Sequence, residues 1–420
     1  MRRIDVFQLF AILLLFTTAF FLEACGTAGK ANNSSSPGIG NTPPGGSAGG
    51  SGSPTGGGSG SGGSGSGGGS GSGGGSGSTQ AGFVYVANSG SDDISIFKMN
   101  SDGSLVLTGS APASGVHWLA SIGNKFVIAG ERVQLEAFKI DSSTGALTSF
   151  STVSLRGVSM NAITADESAS LVYVGANEAI FGYALSDSGF TALPGSPYFA
   201  NTPGDDPRVD KWALAVLVTP FSPYLYAGYL GWHGSGFFTV IQRDKNGALT
   251  KMNDLPNFSG DVSSVAAFAG GRFACATEPT IVAQIDSTGR PTMAPTGDHQ
   301  ILGTRLVNDP AGKFLFTIEE DPFKGGLLRV YSIDPGNGTP TEVAGSPFNT
   351  QGIGISMVRA DPQDKFVLAT NGSNAETNSP SNNIAVFSFN SASGALTPVP
   401  GSPFPSGGSL PTDVIMVREH

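Results

Sequence analysis

A glycine turn followed by a short strand recurs through most of this sequence, and this repeat is the strongest limit on its fold. Three copies read Gly-Ala-Leu-Thr and begin at Gly145, Gly247 and Gly394. Degenerate copies begin at Gly103, Gly189, Gly289 and Gly338. Consecutive copies lie 42 to 58 residues apart. A period of this size with four short strands in each unit predicts an all-β, seven-bladed β-propeller of four-stranded antiparallel blades.

The strands themselves are visible as apolar runs between polar turns. The run 83–87 reads Phe-Val-Tyr-Val-Ala, a polar turn occupies 88–93, and apolar residues alternate over 94–97. Alternation with period two, bounded by Gly, Asn, Asp and Ser, is typical of antiparallel strands. The first repeat lacks an inner strand, and the run 412–417 resembles the inner strands of other repeats. We therefore expect one domain over 81–420, its ring closed by the C-terminal strand pairing in the first blade.

The N-terminus carries a targeting signal. Arg2 and Arg3 precede an apolar run over 6–22, which ends in Leu-Glu-Ala-Cys at Cys25. This pattern resembles the bacterial lipoprotein box, which implies a signal peptide over 1–24 and acylation of Cys25. The alternative is an uncleaved membrane anchor. Two or more acyl chains hold a protein stably, so we expect a lipid-anchored protein of the cell envelope that faces the periplasm or the exterior of a bacterial cell.

Residues 25–80 differ in composition from the rest of the chain. They consist largely of Gly and Ser and offer almost no apolar side chains to bury, so we expect a flexible tether spanning roughly 40 Å. The formal net charge of −10 and the absence of a basic run argue against a nucleic-acid partner. If Cys25 is acylated, Cys275 has no partner for a disulfide, and its apolar surroundings in the sequence predict an inert buried thiol.

The repeated strings resemble a known family. They are Phe-Val-Tyr-Val-Ala-Asn at 83–88, Gly-Ala-Leu-Thr, and Gly-Ser-Pro followed by Tyr or Phe at 195–198, 345–348 and 401–404. They are similar to the seven-bladed propellers of the lactonase family, which includes phosphogluconolactonase-like enzymes and exported bacterial proteins. The first string also resembles the tyrosine-valine repeat propellers of surface proteins. The resemblance covers 81–420, and its motifs are turns and strands, which specify a fold more than an activity.

The two faces of such a propeller differ in this sequence. Turns from the first to the second strand and from the third to the fourth are short and repetitive, and they define the short-turn face. Insertions fall on the opposite face, called here the long-loop face, at 201–211, 230–236, 320–326 and 374–381. Because binding residues concentrate on variable loops of a rigid scaffold, we expect any ligand or partner on the long-loop face.

Two sets of positions are expected to surround the channel mouth on that face. The ends of the second strands are Asn88, Glu131, Ala176, Tyr229, Glu278, Glu319 and Asn371. The starts of the inner strands include His117, Ala162, Ala215, Ser264, Arg305 and Met357. Three carboxylates, one histidine and one arginine would thus share one opening, where mutual repulsion should raise a carboxyl pKa.

The family resemblance implies roles for part of this rim. Lactonase-family enzymes are thought to use His, Glu and Arg at the mouth, which makes His117, Arg305 and Glu319 the candidate catalytic residues. Arginine would hold an anion or a developing oxyanion, and histidine or a carboxylate would serve as general base. The candidate ligand-binding residues are Glu131, Glu278, Arg208, Trp232 and His233. The structural alternatives are a solvated polar rim, His117 packed beside Trp118, and His233 in a plain surface turn.

Two classes of function remain open. In the first, a lipid-anchored module binds an unknown small molecule, glycan or protein on the long-loop face. In the second, a lactonase-like hydrolase or isomerase acts on small cyclic esters or sugar acids. The sequence contains no metal-ligand spacing, nucleophile elbow or nucleotide fingerprint, so we expect neither metal nor cofactor, and we expect a monomer.

Overall fold

The computed structural model describes residues 80–177, 179–199, 212–220, 222–230, 236–255, 262–269, 272–276, 280–293, 301–321, 325–373 and 380–418. Residues 74–420 form one compact unit. Every regular element in the described ranges is a β-strand, which confirms the all-β class. None of the described segments is a helix long and apolar enough to cross a membrane. The predicted signal peptide, Cys25 and the tether up to residue 79 lie outside the described residues.

The strands are grouped in antiparallel sheets, numbered here along the chain. Sheet 1 contains β1 (Gln80–Asn88), β2 (Asp93–Asn100), β3 (Leu105–Pro112) and the last strand, β31 (Pro411–Arg418). Sheet 2 contains β4 (Val116–Ile122), β5 (Phe126–Glu131), β6 (Gln134–Ile140) and β7 (Leu147–Ser154). Sheet 3 contains β8 (Met160–Asp166), β9 (Leu171–Ala176), β10 (Ala179–Ser186), β11 (Gly189–Ala192) and β12 (Tyr198–Phe199).

The later sheets repeat this plan. Sheet 4 contains β13 (Trp212–Val218), β14 (Tyr224–Leu230), β15 (Phe237–Arg243) and β16 (Leu249–Asp254). Sheet 5 contains β17 (Ser264–Phe268), β18 (Arg272–Ala276), β19 (Ile281–Ile285) and β20 (Pro291–Met293). Sheet 6 contains β21 (Thr304–Asn308), β22 (Phe314–Asp321), β23 (Gly325–Ile333), β24 (Pro340–Glu342) and β25 (Phe348–Asn349). Sheet 7 contains β26 (Ile355–Ala360), β27 (Phe366–Ser373), β28 (Pro380–Phe389), β29 (Leu396–Pro398) and β30 (Phe404–Pro405).

The first and last parts of the domain meet in sheet 1. Strand β31 pairs antiparallel with β1, with Phe83 opposite Val417 and Val86 opposite Val414. Apolar side chains fill the joint between each sheet and the next, and they also join sheet 7 to sheet 1. An all-β propeller of small antiparallel sheets is therefore confirmed.

The recurrent glycines have a conformational reason. All of the glycines that begin the repeat copies adopt positive φ, from 74° at Gly145 to 108° at Gly189, a region that other residues rarely enter. Six of these seven glycines also lie close to side chains of the neighbouring sheet. A Cβ at Gly145 would lie 2.3 Å from the Phe83 ring, and the Tyr85 hydroxyl donates to the Gly145 carbonyl at 2.9 Å. Backbone conformation and close packing therefore both require glycine in this turn.

The Gly-Ser-Pro motif interrupts the outer strand of sheets 3, 6 and 7. In each case the serine hydroxyl replaces a strand carbonyl as acceptor for the third strand. Ser196 Oγ accepts from Gly182 N at 3.0 Å, Ser346 Oγ from Val330 N at 3.1 Å, and Ser402 Oγ from Val386 N at 2.9 Å. This second repeated motif therefore serves the scaffold.

Each inner strand has one edge that faces the channel, and neighbouring side chains satisfy part of its backbone. Asn161 Nδ2 donates to the Ala213 carbonyl at 3.3 Å, and Ser356 Oγ donates to the Pro411 carbonyl at 2.8 Å. Ser264 Oγ accepts from Leu306 N at 2.8 Å. Buried backbone groups need such partners, so polar residues on the inner strands hold adjacent sheets together.

One predicted loop is shorter than expected. The insertion 320–326 is partly strand, because Glu320 pairs with Gly326 and Asp321 with Gly325 in the β22–β23 ladder. The two glycines allow this continuation, since a Cβ at Gly326 would lie 2.4 Å from Ile355 and one at Gly325 would lie 2.6 Å from a backbone carbonyl. The insertion therefore extends a hairpin instead of forming an open loop.

Candidate functional site

A β-bulge at the long-loop end of the inner strands sets the direction of the rim side chains. The residues that lie opposite no partner in these bulges are His117, Asn161, Leu214, Ser356 and Thr412. A bulge adds one residue to a strand and re-aims its side chain. The expected alignment of His117 with Ala162, Ala215 and Met357 is therefore wrong by one residue, because those positions correspond to Trp118.

The inner strand of sheet 6 departs from the pattern of the other sheets. The register shift in β21 lies between Thr304 and Val307, and Arg305 within it has a φ of 49°. Such a conformation is costly for a residue other than glycine and persists only where the surrounding structure imposes it. His117 and Arg305 therefore start their strands in different geometries.

A buried aspartate connects three inner strands. Asp413 of β31 has no exposed surface, and Arg359 of β26 donates to both of its oxygens, at 3.1 and 2.9 Å. The backbone N–H of Leu119 in β4 donates to Asp413 Oδ2 at 2.9 Å. A carboxylate without solvent needs this compensation, so Asp413 and Arg359 form an ion pair without net charge.

Arg305 lies beside this pair and has no comparable partner. Burial and the charge of Arg359 lower the pKa of Arg305, while the charge of Asp413 raises it. The side chain is nevertheless exposed, so it is surrounded by other strands and still reaches solvent. No hydrogen bond or ion pair to Arg305 is found within the described residues. An unpaired guanidinium in such a position can bind an anion.

Glu131 is a predicted rim acid whose surroundings raise its pKa. Its side chain is 6% exposed and accepts a short hydrogen bond from Gln134 Nε2. Burial is the main cause that raises the pKa of Glu131 to about 7, and the nearby Glu136 and Asp92 raise it further. A raised carboxyl pKa was expected here, but it arises from burial and from two carboxylates that the sequence interpretation did not include.

His117 shares Asp92 with Glu131. Burial and Arg132 lower the pKa of His117, and Asp92 opposes this effect. Asp92 is held in place, since its Oδ1 accepts from Gly115 N at 2.7 Å. The His117 ring lies 5.3 Å from that of Trp118. His117 and Glu131 therefore belong to one neighbourhood, and Leu119, two residues along β4 from His117, connects it to Asp413.

Glu319 has a different environment. Arg329 Nε donates to Glu319 Oε2 at 2.5 Å, and Arg329 also donates to Glu342 at 2.7 Å. The Glu319 side chain is 35% exposed in this ion pair. The described contacts of Glu319 therefore lie within sheet 6 and include neither His117 nor Arg305.

Two other residues of the expected rim, Asn88 and Asn371, make structural contacts within their own sheets. Asn88 and Asn371 are fully buried at the ends of β1 and β27. The Asn88 amide donates to Ser95 Oγ at 2.9 Å, and the Asn371 amide donates to Asn383 Oδ1 at 2.7 Å. A Cβ on Gly408 or Gly352 would come within 2.6 Å of these asparagines. They hold the loops that lead into the inner strands of their own sheets.

The remaining predicted ligand-binding residues are not placed. Arg208, Trp232, His233 and Glu278 lie outside the described residues. Sequence reasoning overlooked Asp413, Arg359 and Asp92. Arg359 and Asp413 carried a usable signal, because each is a charge inside an otherwise apolar inner-strand run, whereas Asp92 is indistinguishable from an ordinary turn residue.

Two further features bear on ligand chemistry. In the part of the chain that the structure describes, no group of three or more His, Cys, Asp or Glu side chains could hold a metal ion. A polar cavity of about 610 Å³ lies on the short-turn face of sheet 7, where Asp364, Lys365 and Asn390 contribute to its wall. None of the predicted rim residues lines that cavity.

No protein-family model matches the sequence, and no curated protein matches it. The structure is similar to a protein of Bacteroides fragilis provisionally assigned as a 6-phosphogluconolactonase, with 19% identity and a TM-score of 0.63 over 81% of this chain and 99% of that one. A Bacteroides uniformis protein with the same provisional assignment is 18% identical, with a TM-score of 0.63 over 80% of this chain and 99% of that one. The periplasmic gluconolactonase of Pseudomonas aeruginosa is 17% identical, with a TM-score of 0.60 over 80% of this chain and 99% of that one. These structural neighbours are 6-phosphogluconolactonase-like β-propellers, and at such identities the likeness shows the fold.

Proposed function

We propose that this protein is an exported, lipid-anchored β-propeller of seven blades that binds a small organic anion at its channel through Arg305. The blade number is supported by the described sheets and by the apolar joints between them. The anchor and the envelope location are supported by the sequence around Cys25. The anion site rests on one observation, which is the unpaired Arg305 guanidinium beside the neutral Asp413–Arg359 pair.

The anion site is tested by calorimetric titration of the purified protein with gluconate, a small hydroxy-carboxylate. Arg305→Ala should weaken binding by about 1.5–3 kcal/mol, the contribution of a hydrogen bond to a charged group. Arg290→Ala is the matched control, because it removes an exposed arginine from a turn on the short-turn face. If Arg305→Ala binds gluconate within about twofold of the unaltered protein, the anion site lies elsewhere.

A second function, hydrolysis of small cyclic esters, is supported by the pKa of Glu131. A carboxyl group that titrates near 7 can act as general base at neutral pH. Glu131 would take a proton from water while the water oxygen attacks the ester carbonyl carbon. The ring C–O bond then breaks, and the leaving alkoxide receives the proton. The carboxylic acid formed in this step then loses its own proton to solvent at neutral pH, and the resulting hydroxy-carboxylate carries the single negative charge that Arg305 would bind.

In this scheme Glu131 replaces Glu319 as the proposed base, because an oxygen of Glu319 already accepts from Arg329. Arg305 would stabilise the oxyanion. His117, which lies near Asp92 as Glu131 does, would orient the attacking water. A screen of lactones and esters should show a rate that rises with pH through about 7, since a base acts in its deprotonated form. Glu131→Gln and Arg305→Ala should abolish the rate. A rate that both variants retain would exclude this chemistry.

A further inference from the structure

The charged side chains of the inner strands are almost all neutralised. On the described inner strands they are His117, Asp166, Arg305, Arg359, Asp413 and Arg418. Asp166 pairs with Arg243, Asp413 with Arg359, and Arg418 with Asp361. His117 and Arg305 are the members of this set without an ion pair among the described residues, and of the two Arg305 is charged throughout the neutral pH range.

The remaining titratable groups near the rim add little positive charge. Burial and Arg132 favour the neutral form of His117 by lowering its pKa. Glu131, with a pKa raised to about 7, gains negative charge as pH rises through that value, and Asp92 lies near it. The described wall of the channel near Arg305 therefore offers one cation without a counter-charge, next to a buried carboxylate.

We infer, building on the proposed anion site, that the channel binds singly charged hydroxy-carboxylates and discriminates against phosphate esters of the same acids, which carry a further one to two negative charges on the phosphate. One guanidinium can form a paired contact with one carboxylate. A second negative group would find no free cation in the described wall and would lie in the field of Asp413. Specificity arises from such an unpaired charge as much as from the favourable contact.

The test compares gluconate with 6-phosphogluconate in calorimetric titrations at pH 7.5. We expect the unaltered protein to bind gluconate more tightly by about tenfold or more, the scale of one unpaired charge at a partly solvated site. Asp413→Asn removes the negative charge of the neutral pair and leaves Arg359 as a second cation without a counter-charge, so it should narrow this ratio by roughly tenfold. Asp166→Asn is the matched control, since it removes one carboxylate of another Asp–Arg pair on an inner strand and should leave the ratio unchanged.

A second variant covers the case in which Asp413→Asn does not fold. Thr412→Lys adds a positive charge at a half-buried bulge position without altering the Asp413–Arg359 pair, and it should also narrow the ratio. Equal binding of the two anions, or tighter binding of the phosphate ester by the unaltered protein, overturns the inference and leaves the anion site intact. Failure of both anions to bind overturns the anion site itself.

Discussion

Two neighbouring joints between sheets on the short-turn face contain the same aspartate turn. The aspartate of one joint lies against an arginine, and the aspartate of the other lies near a second aspartate. At the joint between sheets 7 and 1, Asp361 accepts from Lys365 N at 3.0 Å, and the Arg418 guanidinium binds both of its oxygens. At the joint between sheets 6 and 7, Asp309 Oδ1 accepts from Lys313 N and Phe314 N, each at 2.7 Å. Asp309 has no arginine partner among the described residues, and the charges near it belong to Asp364 and Lys313.

The difference follows from chain topology. In sheet 1 the inner strand β31 and its neighbour β1 lie far apart in the sequence, so no short turn connects them and Arg418 can lie against Asp361. In sheet 7 the chain turns after β26 and brings Asp364, with a φ of 57°, to the equivalent place. Asp309 Oδ2 and Asp364 Oδ1 are buried and have no hydrogen-bond partner in the described residues. A repeated motif thus stabilises one joint and strains the next.

The largest effect is expected from removing β31. Truncation after Leu410 deletes the partner of β1, the Arg418–Asp361 pair and the acceptor of Leu119 N. An unpaired apolar strand edge favours aggregation, so we expect loss of cooperative unfolding in circular dichroism and loss of the monomer in gel filtration. Deleting an equal number of residues from 60–70 should change neither property. A soluble truncated protein that unfolds cooperatively would disprove closure through β31.

Arg418→Ala tests the closing joint without removing the strand. It leaves the carboxylate of Asp361 buried and without its cation, which should reduce the free energy of unfolding by about 3 kcal/mol. Chemical denaturation measures the loss, and Arg290→Ala is the control for removal of a surface arginine. A loss below about 1 kcal/mol would show that solvent reaches Asp361 and that the pair contributes little.

Asp364→Asn tests the strained joint and should have the opposite sign. Burial, Asp309 and Asp361 raise the pKa of Asp364 from 3.8 to about 6, and Lys313 partly opposes them. The protonated form is therefore favoured by folding, and its stabilisation is present below pH 4 and lost as pH rises through about 6. Because Asp364 is partly solvated, we expect a gain of about 1 kcal/mol at pH 8 from the asparagine.

The same variant should give little gain at pH 4, where the native carboxyl is already protonated. Denaturation at both pH values, with Asp187→Asn as an exposed control on the same face, separates this effect from general changes in charge. If Asp364→Asn changes stability equally at pH 4 and pH 8, the carboxylates do not repel each other in the folded protein.

The scaffold was largely readable from the sequence, because its signals are local. Gly145 and its equivalents need positive φ, and a strand such as β1 needs alternating apolar residues, so each motif reports its own backbone. Closure by β31 was also predictable, since the first repeat lacked an inner strand. The glycine motifs did not reveal the bulges, and a one-residue shift was therefore missed.

The candidate site was only partly readable, because its chemistry depends on contacts between distant strands. Arg305 was selected as an anion ligand, but its neighbours Asp413 and Arg359 come from the inner strands of two other sheets. Glu319 was chosen by its register position, which carries no information about Arg329 on the adjacent strand. Periodicity predicts which positions share a level of the propeller, whereas charge pairing decides which of them remain available to a ligand.

The joint between sheets 2 and 3 contains an exposed ion pair, and breaking it should change stability least. It is therefore the reference for the two joints that contain Asp361 and Asp309. Between sheets 2 and 3, Lys125 Nζ donates to Asp187 Oδ2 at 2.7 Å, and the two side chains are 57% and 61% exposed. Exposed ion pairs contribute little because water solvates both charges and ordering two long side chains costs entropy. Lys125→Ala should therefore move the melting temperature by less than about 1 °C.

Lys125→Ala and Arg418→Ala both remove the cation of an Asp ion pair at a joint on the same face. The two pairs differ in burial, so comparing the two variants measures the effect of burial. Thermal unfolding in low and high salt adds a second measurement, because an exposed pair is screened by salt and a buried pair is screened much less. Lys125→Ala should remove the small salt dependence that this joint adds to the melting temperature. Arg418→Ala should lower the melting temperature equally in low and in high salt. If Lys125→Ala destabilises the protein as much as Arg418→Ala does, the charge of the partner matters more than burial, and the strained joint at Asp364 then needs a different explanation.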